Sequence, residues 1–565
     1  MNTNKHEPTL PRIWLLALLG ALAISAVFAL KGPFQDSHWD APIYLMRGKH
    51  VAETPLLHNF SVHAQAIADA TRRGRDARDE GRWFYWPFMR LGNAALLGGI
   101  SLALGTTLTA IHAAFLLYTF LMAAGAVMGA LLAVRVIEPF RGPMDVRVIW
   151  IGAVVSLLLY VSSDTYRYLS GTTVAEIPAF FLLSAGALSL VLSTRRRSMA
   201  LAVLSGVLAF ALYTVKIEAI WVAATFGVLV AFAYYRHARE AFWLPAFLFA
   251  GATTLVLYLI YAWWFFPLGD PRLIVDFAAS MPEDKVNPVR SYKVLIAAGG
   301  VLWLALLPAL RYQLKNPVLW LVLAWLVLFI LPYTGGLLRD GPAQVRVFAL
   351  IALPLLVGST LGWSALLHRL TTPGRAAPVA VLAISSVALL AIAHAESYTA
   401  LRNLPGGWRL QSVREFVSPA NYQRVDYPLA EIAAVSKFIY SRPGPHLVLW
   451  NWDDGPVAEY IDLARYLGPP LPPTVDVIDK DLFPSKRREC SPSDHRLEYE
   501  AVFFCTKLPA ADDAPAMASS MPILQLHRVG SDVNIDTEPR GRPVFRTETL
   551  VVYDRSADSS VGSGR

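Results

Sequence analysis

The feature that most constrains this chain is a succession of long apolar runs that fills the sequence from about Arg12 to Ala395. An apolar helix of about 20 residues spans the hydrocarbon core of a bilayer. Charged residues make up only 16% of the chain, whereas a soluble domain of average composition carries about 25%. The runs therefore predict a polytopic α-helical membrane protein.

About 11 of these runs are predicted to cross the membrane. They are 13–30, 110–134, 147–162, 174–194, 200–215, 217–235, 242–266, 293–310, 317–333, 345–368 and 377–395. We interpret the first run as an uncleaved span, and not as a signal peptide, because many more spans follow it. The apolar, glycine-rich segment 91–108 is predicted to be interfacial or re-entrant, since one more crossing there would invert the side of every later loop.

The positions of lysine and arginine predict the orientation, because both accumulate in cytoplasmic loops. The clearest marker is Arg195-Arg196-Arg197, which we place in the cytoplasm. The same side receives Arg135, Arg141, Arg147, Arg236, Arg239, Arg311, Lys315, Arg369 and Arg375. The N-terminus is then cytoplasmic. Residues 32–90, the loops 267–292 and 334–344, and the C-terminal region are predicted to be extracytoplasmic.

The composition changes near residue 395. Residues 1–395 are predicted to be a transmembrane module with a large outer loop at 32–90, and residues 396–565 an extracytoplasmic α/β domain. Apolar periodicity predicts helices at 428–440 and 457–467 and strands at 446–450, 501–505, 523–526 and 550–553. The two cysteines of the chain, Cys490 and Cys505, lie in this domain. They can form a disulfide in an oxidising compartment.

The net charge of +8 is explained by this topology. The basic residues stand singly or in short groups at the ends of apolar runs. A basic stripe with interleaved aromatic residues, which is typical of nucleic-acid binding, is absent from the sequence. Nucleic acid is therefore excluded as a partner.

The first outer loop contains the most informative motif. Asp36-Ser-His-Trp-Asp40 follows the first span directly, and it places two carboxylates close to His38 and Tyr44. Asp36 and Asp40 would share one face of a helix. Such a pair can bind a divalent metal ion, or one carboxylate can act as a general base toward an acceptor hydroxyl. The alternative interpretation is that both are solvated charges at the beginning of an interfacial helix.

Further ionisable residues lie at the ends of spans on the same predicted side. They are Glu176, Lys216, Glu218 and Arg346. Charged groups at membrane depth are costly and often line a functional cavity. The alternative is a set of structural ion pairs, with Lys216 pairing with Glu218 or Glu176. The outer loop 267–292 could close over a lipid-borne phosphate, or serve only as a polar connector.

This pattern resembles the GT-C glycosyltransferases, and especially the branch of the protein O-mannosyltransferases and lipid A aminoarabinose transferases. The acidic motif with Tyr44 and Gly48, then Tyr85-Trp86-Pro87, is similar to the first outer loop of that family. The loop 267–292 and the segment from Arg346 to Pro354 resemble later family features. The adjacent acidic pair and tandem prolines of many members are missing, which leaves open whether Asp36 or Asp40 is the key carboxylate.

The resemblance implies sugar transfer from a polyprenyl-phosphate carrier to a lipid, glycan or protein acceptor, outside a bacterial inner membrane. It implies Asp36 as the base, with Asp40 or His38 assisting or holding a divalent metal ion. Lys216 and Arg346 would bind the donor phosphate, with Tyr44 and Glu176 in support. Two other hypotheses remain. A transporter or flippase of a lipid-linked glycan would show internal repeats, and a non-catalytic assembly protein would tolerate substitutions in the Asp36 loop.

Overall fold

The structure, a computed structural model, describes most of the apolar region and a five-stranded sheet near the C-terminus. The described residues are 40–53, 91–161, 172–216, 219–238, 241–264, 301–334, 347–370, 429–444, 446–450, 463–469, 502–505, 522–529 and 541–555, with a few isolated positions. They form two compact units. The larger unit is a helical bundle, and the smaller unit contains the C-terminal sheet.

The described residues contain helices in the following chain order. They are α1 (Asp40–Glu53), α2 (Leu91–Leu104), α3 (Leu108–Ile137), α4 (Val146–Val161), α5 (Glu176–Arg196), α6 (Met199–Val215), α7 (Ala219–Ala233), α8 (Trp243–Trp264), α9 (Val301–Tyr312), α10 (Pro317–Thr334), α11 (Ala352–Leu370) and α12 (Leu429–Tyr440). The strands are β1 (His446–Trp450), β2 (Val502–Cys505), β3 (Ile523–Arg528), β4 (Arg542–Arg546) and β5 (Leu550–Asp554). A short helical segment, 463–467, lies between β1 and β2.

The larger unit confirms the predicted membrane protein. Five helices of the described residues have the length and composition to cross a bilayer, and several shorter apolar helices accompany them. Helices α3 to α11 coincide with nine of the predicted spans. The predicted span 377–395 lies outside the described residues, as does nearly all of 13–30.

Helix α11 lies at the centre of this bundle, and almost all of its residues are buried. Small residues let its neighbours approach closely. The hydroxyl oxygens of Ser156 on α4 and Ser359 on α11 lie 2.8 Å apart, and a Cβ atom added to Gly152 would lie 2.6 Å from the Ser364 hydroxyl. Helices pack in this way in membranes, where close contact and interhelical hydrogen bonds replace the hydrophobic effect.

Helix α8 has the opposite character, because much of its apolar surface is exposed. Leu255, Val256 and Leu259 each expose more than half of their surface. An apolar surface of this kind suits lipid contact. Its inner side meets α6, where the Thr254 hydroxyl donates a hydrogen bond of 3.1 Å to the Gly206 carbonyl.

Basic residues that predicted the orientation lie together at one end of the bundle, as far as the structure describes them. At the ends of α3 and α5, Arg135 and Arg195 both contact the Glu138 carboxylate. At the same end, the Asn316 side chain donates a hydrogen bond of 3.1 Å to the Phe140 carbonyl, and the Phe140 ring packs edge-on against Tyr234. We call this end the basic end; its location in the cytoplasm stays a prediction.

The smaller unit contains a five-stranded mixed sheet in the order β2-β1-β3-β5-β4. Strand β1 pairs in parallel with β2 and β3, whereas β5 pairs antiparallel with β3 and β4. Helix α12 is joined to the sheet by the Glu431 carboxylate, which accepts hydrogen bonds from Thr549, and by stacking of Phe438 on Phe545. The predicted α/β fold of this region is confirmed.

The sequence analysis missed one strand, β4. Pro543 and the flanking arginines gave it the composition of a loop. The structure shows why a proline is tolerated there: β4 is an edge strand of the sheet, where a missing backbone N–H removes no inner ladder bond. The predicted helix 457–467 is described only at 463–467, where it is helical.

Helices α1 and α2 pack closely within the smaller unit. A Cβ atom added to Gly48 would lie 2.7 Å from the Cβ atom of Leu97. One added to Gly98 would lie 3.0 Å from the Gly48 carbonyl oxygen. Helix α2 has 14 residues, and its length of about 21 Å is less than the roughly 30 Å of a hydrocarbon core. The interfacial or re-entrant position of 91–108 stays a prediction, as does a domain boundary near residue 395.

Candidate functional site

A buried ion pair joins two of the predicted site residues in the larger unit. The Lys216 ammonium donates a hydrogen bond of 2.8 Å to the Glu176 carboxylate. The two side chains are only 3% and 1% exposed. Of the two partners that the sequence offered for Lys216, the structure selects Glu176; Glu218 lies outside the described residues.

Helix ends position both members of this pair. Glu176 is the first residue of α5, where the partial positive charge of the helix terminus favours a carboxylate. Lys216 follows α6 as its C-cap, and its backbone N–H bonds to the Leu212 carbonyl. A cation is favoured at that terminus for the same reason. Each helix therefore stabilises the charge that it carries to the contact.

The pair lies at the end of the bundle away from the basic end. Glu176 begins α5, whereas Arg195 and Arg196 lie in its last turn. The 21 residues of this helix separate the two ends by about 30 Å, which is the thickness of a hydrocarbon core. The predicted positions of Glu176 and Lys216 on the side opposite the arginines agree with this geometry.

Aromatic side chains lie next to both members of the pair. Tyr213, one turn before Lys216, packs edge-on against Tyr258 and Tyr261 of α8. Phe180, one turn after Glu176, contacts the ring of Tyr160. The Tyr160 hydroxyl is buried, and it has no hydrogen-bond partner within the described part of the chain. Aromatic rings with hydroxyl groups at one end of a membrane bundle suit an amphipathic ligand, which has both an apolar and a polar part.

The first-loop motif is described only in part. Asp36 and His38 lie outside the described residues, and Asp40 is described as the first residue of α1 by its backbone alone. Tyr44 is fully buried one turn further along α1, and the Arg47 guanidinium lies 5.4 Å from the centre of its ring. The structure thus places Asp40 and Tyr44 four residues apart in the same helix.

Two other predicted parts of the site also lie outside the described residues. They are Arg346, immediately before the 3-10 helix Val347–Ile351, and the loop 267–292. Within the described residues, no group of three or more His, Cys, Asp or Glu side chains could hold a metal ion. Metal binding by Asp36 and Asp40 therefore stays a prediction.

Sequence reasoning missed Lys49, which is fully buried in the smaller unit. Its ammonium donates hydrogen bonds of 2.9 to 3.0 Å to the carbonyls of Arg465, Tyr466, Gly468 and Pro469. Burial lowers the pKa of this ammonium to about 8, and the nearby Glu53 carboxylate opposes that shift. A lysine in a polar stretch is typical of a solvated surface, so the sequence held no local signal for its burial.

Comparison with known proteins finds likeness in structure and not in sequence. No family model matches the chain, and no curated protein matches it. The crystal structure of ArnT from Cupriavidus metallidurans bound to undecaprenyl phosphate is 12% identical with a TM-score of 0.47; the match covers 97% of this chain and 98% of that one.

Crystal structures of the Archaeoglobus fulgidus oligosaccharyltransferase are also similar. The form tethered with an acceptor peptide containing the NVT sequon is 14% identical with a TM-score of 0.39; the match covers 81% of this chain and 63% of that one. The complex with Zn and sulfate is 17% identical with a TM-score of 0.38, at 79% and 61% coverage. The chain thus spans a little under two thirds of the archaeal enzyme's length.

Proposed function

We propose that the chain is a GT-C glycosyltransferase that moves a sugar from a polyprenyl-phosphate donor to an acceptor on the outer side of a bacterial inner membrane. The observation that carries the proposal is the buried Glu176–Lys216 pair at the end of the bundle remote from the basic end. Ionisable groups are retained at membrane depth mainly where substrates, ions or protons bind. The motif that follows the first span supports the same reaction.

The proposed orientation follows from the distribution of positive charge. Arg135 and Arg195 meet at the basic end, which the positive-inside rule assigns to the cytoplasm. The Glu176–Lys216 end is then extracytoplasmic. The N-terminus is cytoplasmic in this orientation, and the C-terminal α/β domain is extracytoplasmic.

The proposed chemistry uses one carboxylate and two cations. The nucleophilic oxygen or nitrogen of the acceptor bonds to the anomeric carbon of the sugar. Asp36 or Asp40 accepts the proton that this acceptor atom loses. The bond between that carbon and the phosphate oxygen breaks, and the electron pair leaves with polyprenyl phosphate. Lys216 and Arg346 stabilise the negative charge of this leaving group, while Tyr44 and His38 support the carboxylates.

Glu176 has a definite part in this scheme. Its carboxylate engages one of the three protons of the Lys216 ammonium. It thereby fixes the direction of a flexible side chain and compensates the cost of burying its charge. A phosphate that approached the pair would meet an oriented donor.

Sugar transfer by the purified full chain in nanodiscs, from a panel of polyprenyl-phosphate sugars, tests the proposal. Asp36→Asn and Asp40→Asn are the decisive variants. We expect one of them to lose transfer while it retains its fold. The matched control is Asp145→Asn: Asp145 accepts a hydrogen bond from the Arg147 backbone at the start of α4, and asparagine serves equally well as a cap.

Full activity in both loop variants would remove Asp36 and Asp40 from the site. Absence of transfer with every donor and acceptor would favour the transporter or assembly hypotheses. A chelator arm separates the two roles of the carboxylates. If they hold a divalent ion, EDTA abolishes transfer and added metal restores it; if one is a general base alone, EDTA leaves transfer unchanged.

A further inference from the structure

The four carbonyls around Lys49 lie in the last turn of one short helix and in the two residues that follow it. Residues 463–467 are helical, and the acceptors are the carbonyl oxygens of residues 465, 466, 468 and 469. The last carbonyls of a helix have no partner within the helix. They also carry its partial negative charge, which attracts a cation. Lys49 therefore supplies from α1 a charged cap for this helix end, in addition to the backbone hydrogen bond from the Gly468 N–H to the Arg465 carbonyl.

The Lys49 side chain is buried, and its ammonium group is fully used by these hydrogen bonds. It is 0% exposed, and its carboxylate neighbour Glu53 lies 3.7 Å away, one turn along α1. An ammonium has three protons, so four carbonyls at hydrogen-bonding distance use its full donor capacity. A surface lysine would instead remain hydrated and mobile.

Two other contacts hold the same elements together. The hydroxyls of Ser101 on α2 and Tyr466 are hydrogen-bonded at 2.9 Å. Gly48, next to Lys49, allows α1 to touch the backbone of α2 at Leu97. Helices α1, α2 and the segment 463–467 thus meet at one junction, to which α1 contributes the Lys49 ammonium.

Helix α1 begins at Asp40, nine residues before Lys49. We infer that Lys49 is a positioning residue, which ties α1 to the C-terminal region and so holds the carboxylate motif in place for sugar transfer. This inference rests on the proposed function. It assigns the C-terminal α/β region a supporting part in the reaction, although its residues lie more than 400 positions from the motif in the chain.

The test compares Lys49→Met with Lys49→Gln in the full chain. Methionine removes every donor but keeps the apolar stem, whereas glutamine restores two N–H donors without the charge. Tyr466→Phe is the matched control, because it removes the bond to Ser101 and leaves the carbonyls available to Lys49. The readouts are hydrogen exchange of residues 40–53 and 463–469, and kcat and KM for the donor.

We expect Lys49→Met to accelerate exchange in both segments and to lower kcat on the order of 10- to 100-fold, since small misplacements of a catalytic group have effects of this size. KM for the donor should change little, and Lys49→Gln should recover part of kcat. Tyr466→Phe should leave the exchange of residues 40–53 and kcat close to wild type.

Each contrary result is informative. Unchanged exchange of residues 40–53 in Lys49→Met would overturn the tie, whatever the activity. Faster exchange with unaltered kcat, or equal losses in Tyr466→Phe, would overturn the positioning role. If the wild-type protein transfers no sugar, but Lys49→Met shows the expected faster exchange, the proposed function is overturned. The tie between the two segments then still stands.

Discussion

Lys216 Nζ and Glu176 Oε1 lie 2.8 Å apart although their residues are 40 positions apart in the chain. The contact forms because α5 begins where α6 ends, at one end of an antiparallel helix pair. It is consistent with two roles, a purely structural ion pair and a phosphate-binding group held in place by its partner. These roles differ in what happens when both charges are removed together.

The first prediction uses that difference. Lys216→Met leaves the Glu176 carboxylate buried without its cation, which costs about 3 to 5 kcal/mol of unfolding free energy. Lys216→Met combined with Glu176→Gln should recover most of this stability, because no lone charge stays buried. If Lys216 binds the donor phosphate, the double variant folds normally and still transfers no sugar. Denaturation in detergent measures the stability, and the transfer assay measures the activity. Full activity in the double variant would mean that the pair is structural only.

A second prediction concerns the pH dependence of stability. The Lys49 ammonium has a pKa of about 8 in the folded chain, against 10.5 as the ordinary value, mainly because it is buried. Between these pH values the folded chain binds fewer protons than the unfolded chain, so this group makes the unfolding free energy rise with pH. The unfolding free energy of the wild type minus that of Lys49→Met should therefore increase from about pH 8 to 10. A flat difference would mean that the four carbonyls keep the proton in place.

The third prediction tests the close packing of α1 on α2. Gly48→Ala should lower the melting temperature, because the new Cβ atom would lie 2.7 Å from Leu97 Cβ and 2.9 Å from its carbonyl carbon. Gly99→Ala is the matched control on α2, where a Cβ atom would have no neighbour within 4 Å. Alanine is favoured over glycine in a helix by about 1 kcal/mol, so this control should be neutral or stabilising. Equal effects of the two substitutions would contradict the packing.

A fourth prediction concerns the central helix of the bundle. A Cβ atom at Gly362 of α11 would collide with the carbonyl oxygen of Ala305 on α9. Gly362→Ala should therefore force these helices apart and destabilise the protein by about 1 to 3 kcal/mol. Gly251→Ala, on the exposed helix α8, meets nothing within 4 Å and should fold normally. Thermal unfolding of the two variants in the same detergent measures the contrast.

The bundle could be predicted from sequence because each of its helices corresponds to an apolar run in the chain. Apolar runs at 174–194 and 200–215 correspond to α5 and α6 within a few residues, since a backbone in lipid must satisfy its hydrogen bonds inside its own segment. Strand β4 could not be found this way. An edge strand that contains Pro543 owes its existence to antiparallel pairing with β5, which follows it after three residues; its own composition carries no strand pattern.

The candidate site could likewise be predicted from the sequence only in part. The residue types and order of Asp36, Asp40, Glu176 and Lys216 are properties of the sequence, and they were sufficient to suggest chemistry on one side of a membrane. The sequence offered Lys216 two acidic partners within reach of the same helix ends. Only the packing of α5 against α6 selected Glu176.

The sequence by itself determined the order of the apolar helices from α3 to α11 and the end at which their basic residues collect, because hydrophobicity and charge act residue by residue. Tertiary structure decided which charges meet and which are buried. Lys49 is the clearest case: nothing near it in the chain distinguishes it from a surface lysine, and its acceptors are about 416 to 420 residues away. Contacts of this kind cannot be seen in the sequence, since they join segments that come together only when the chain folds.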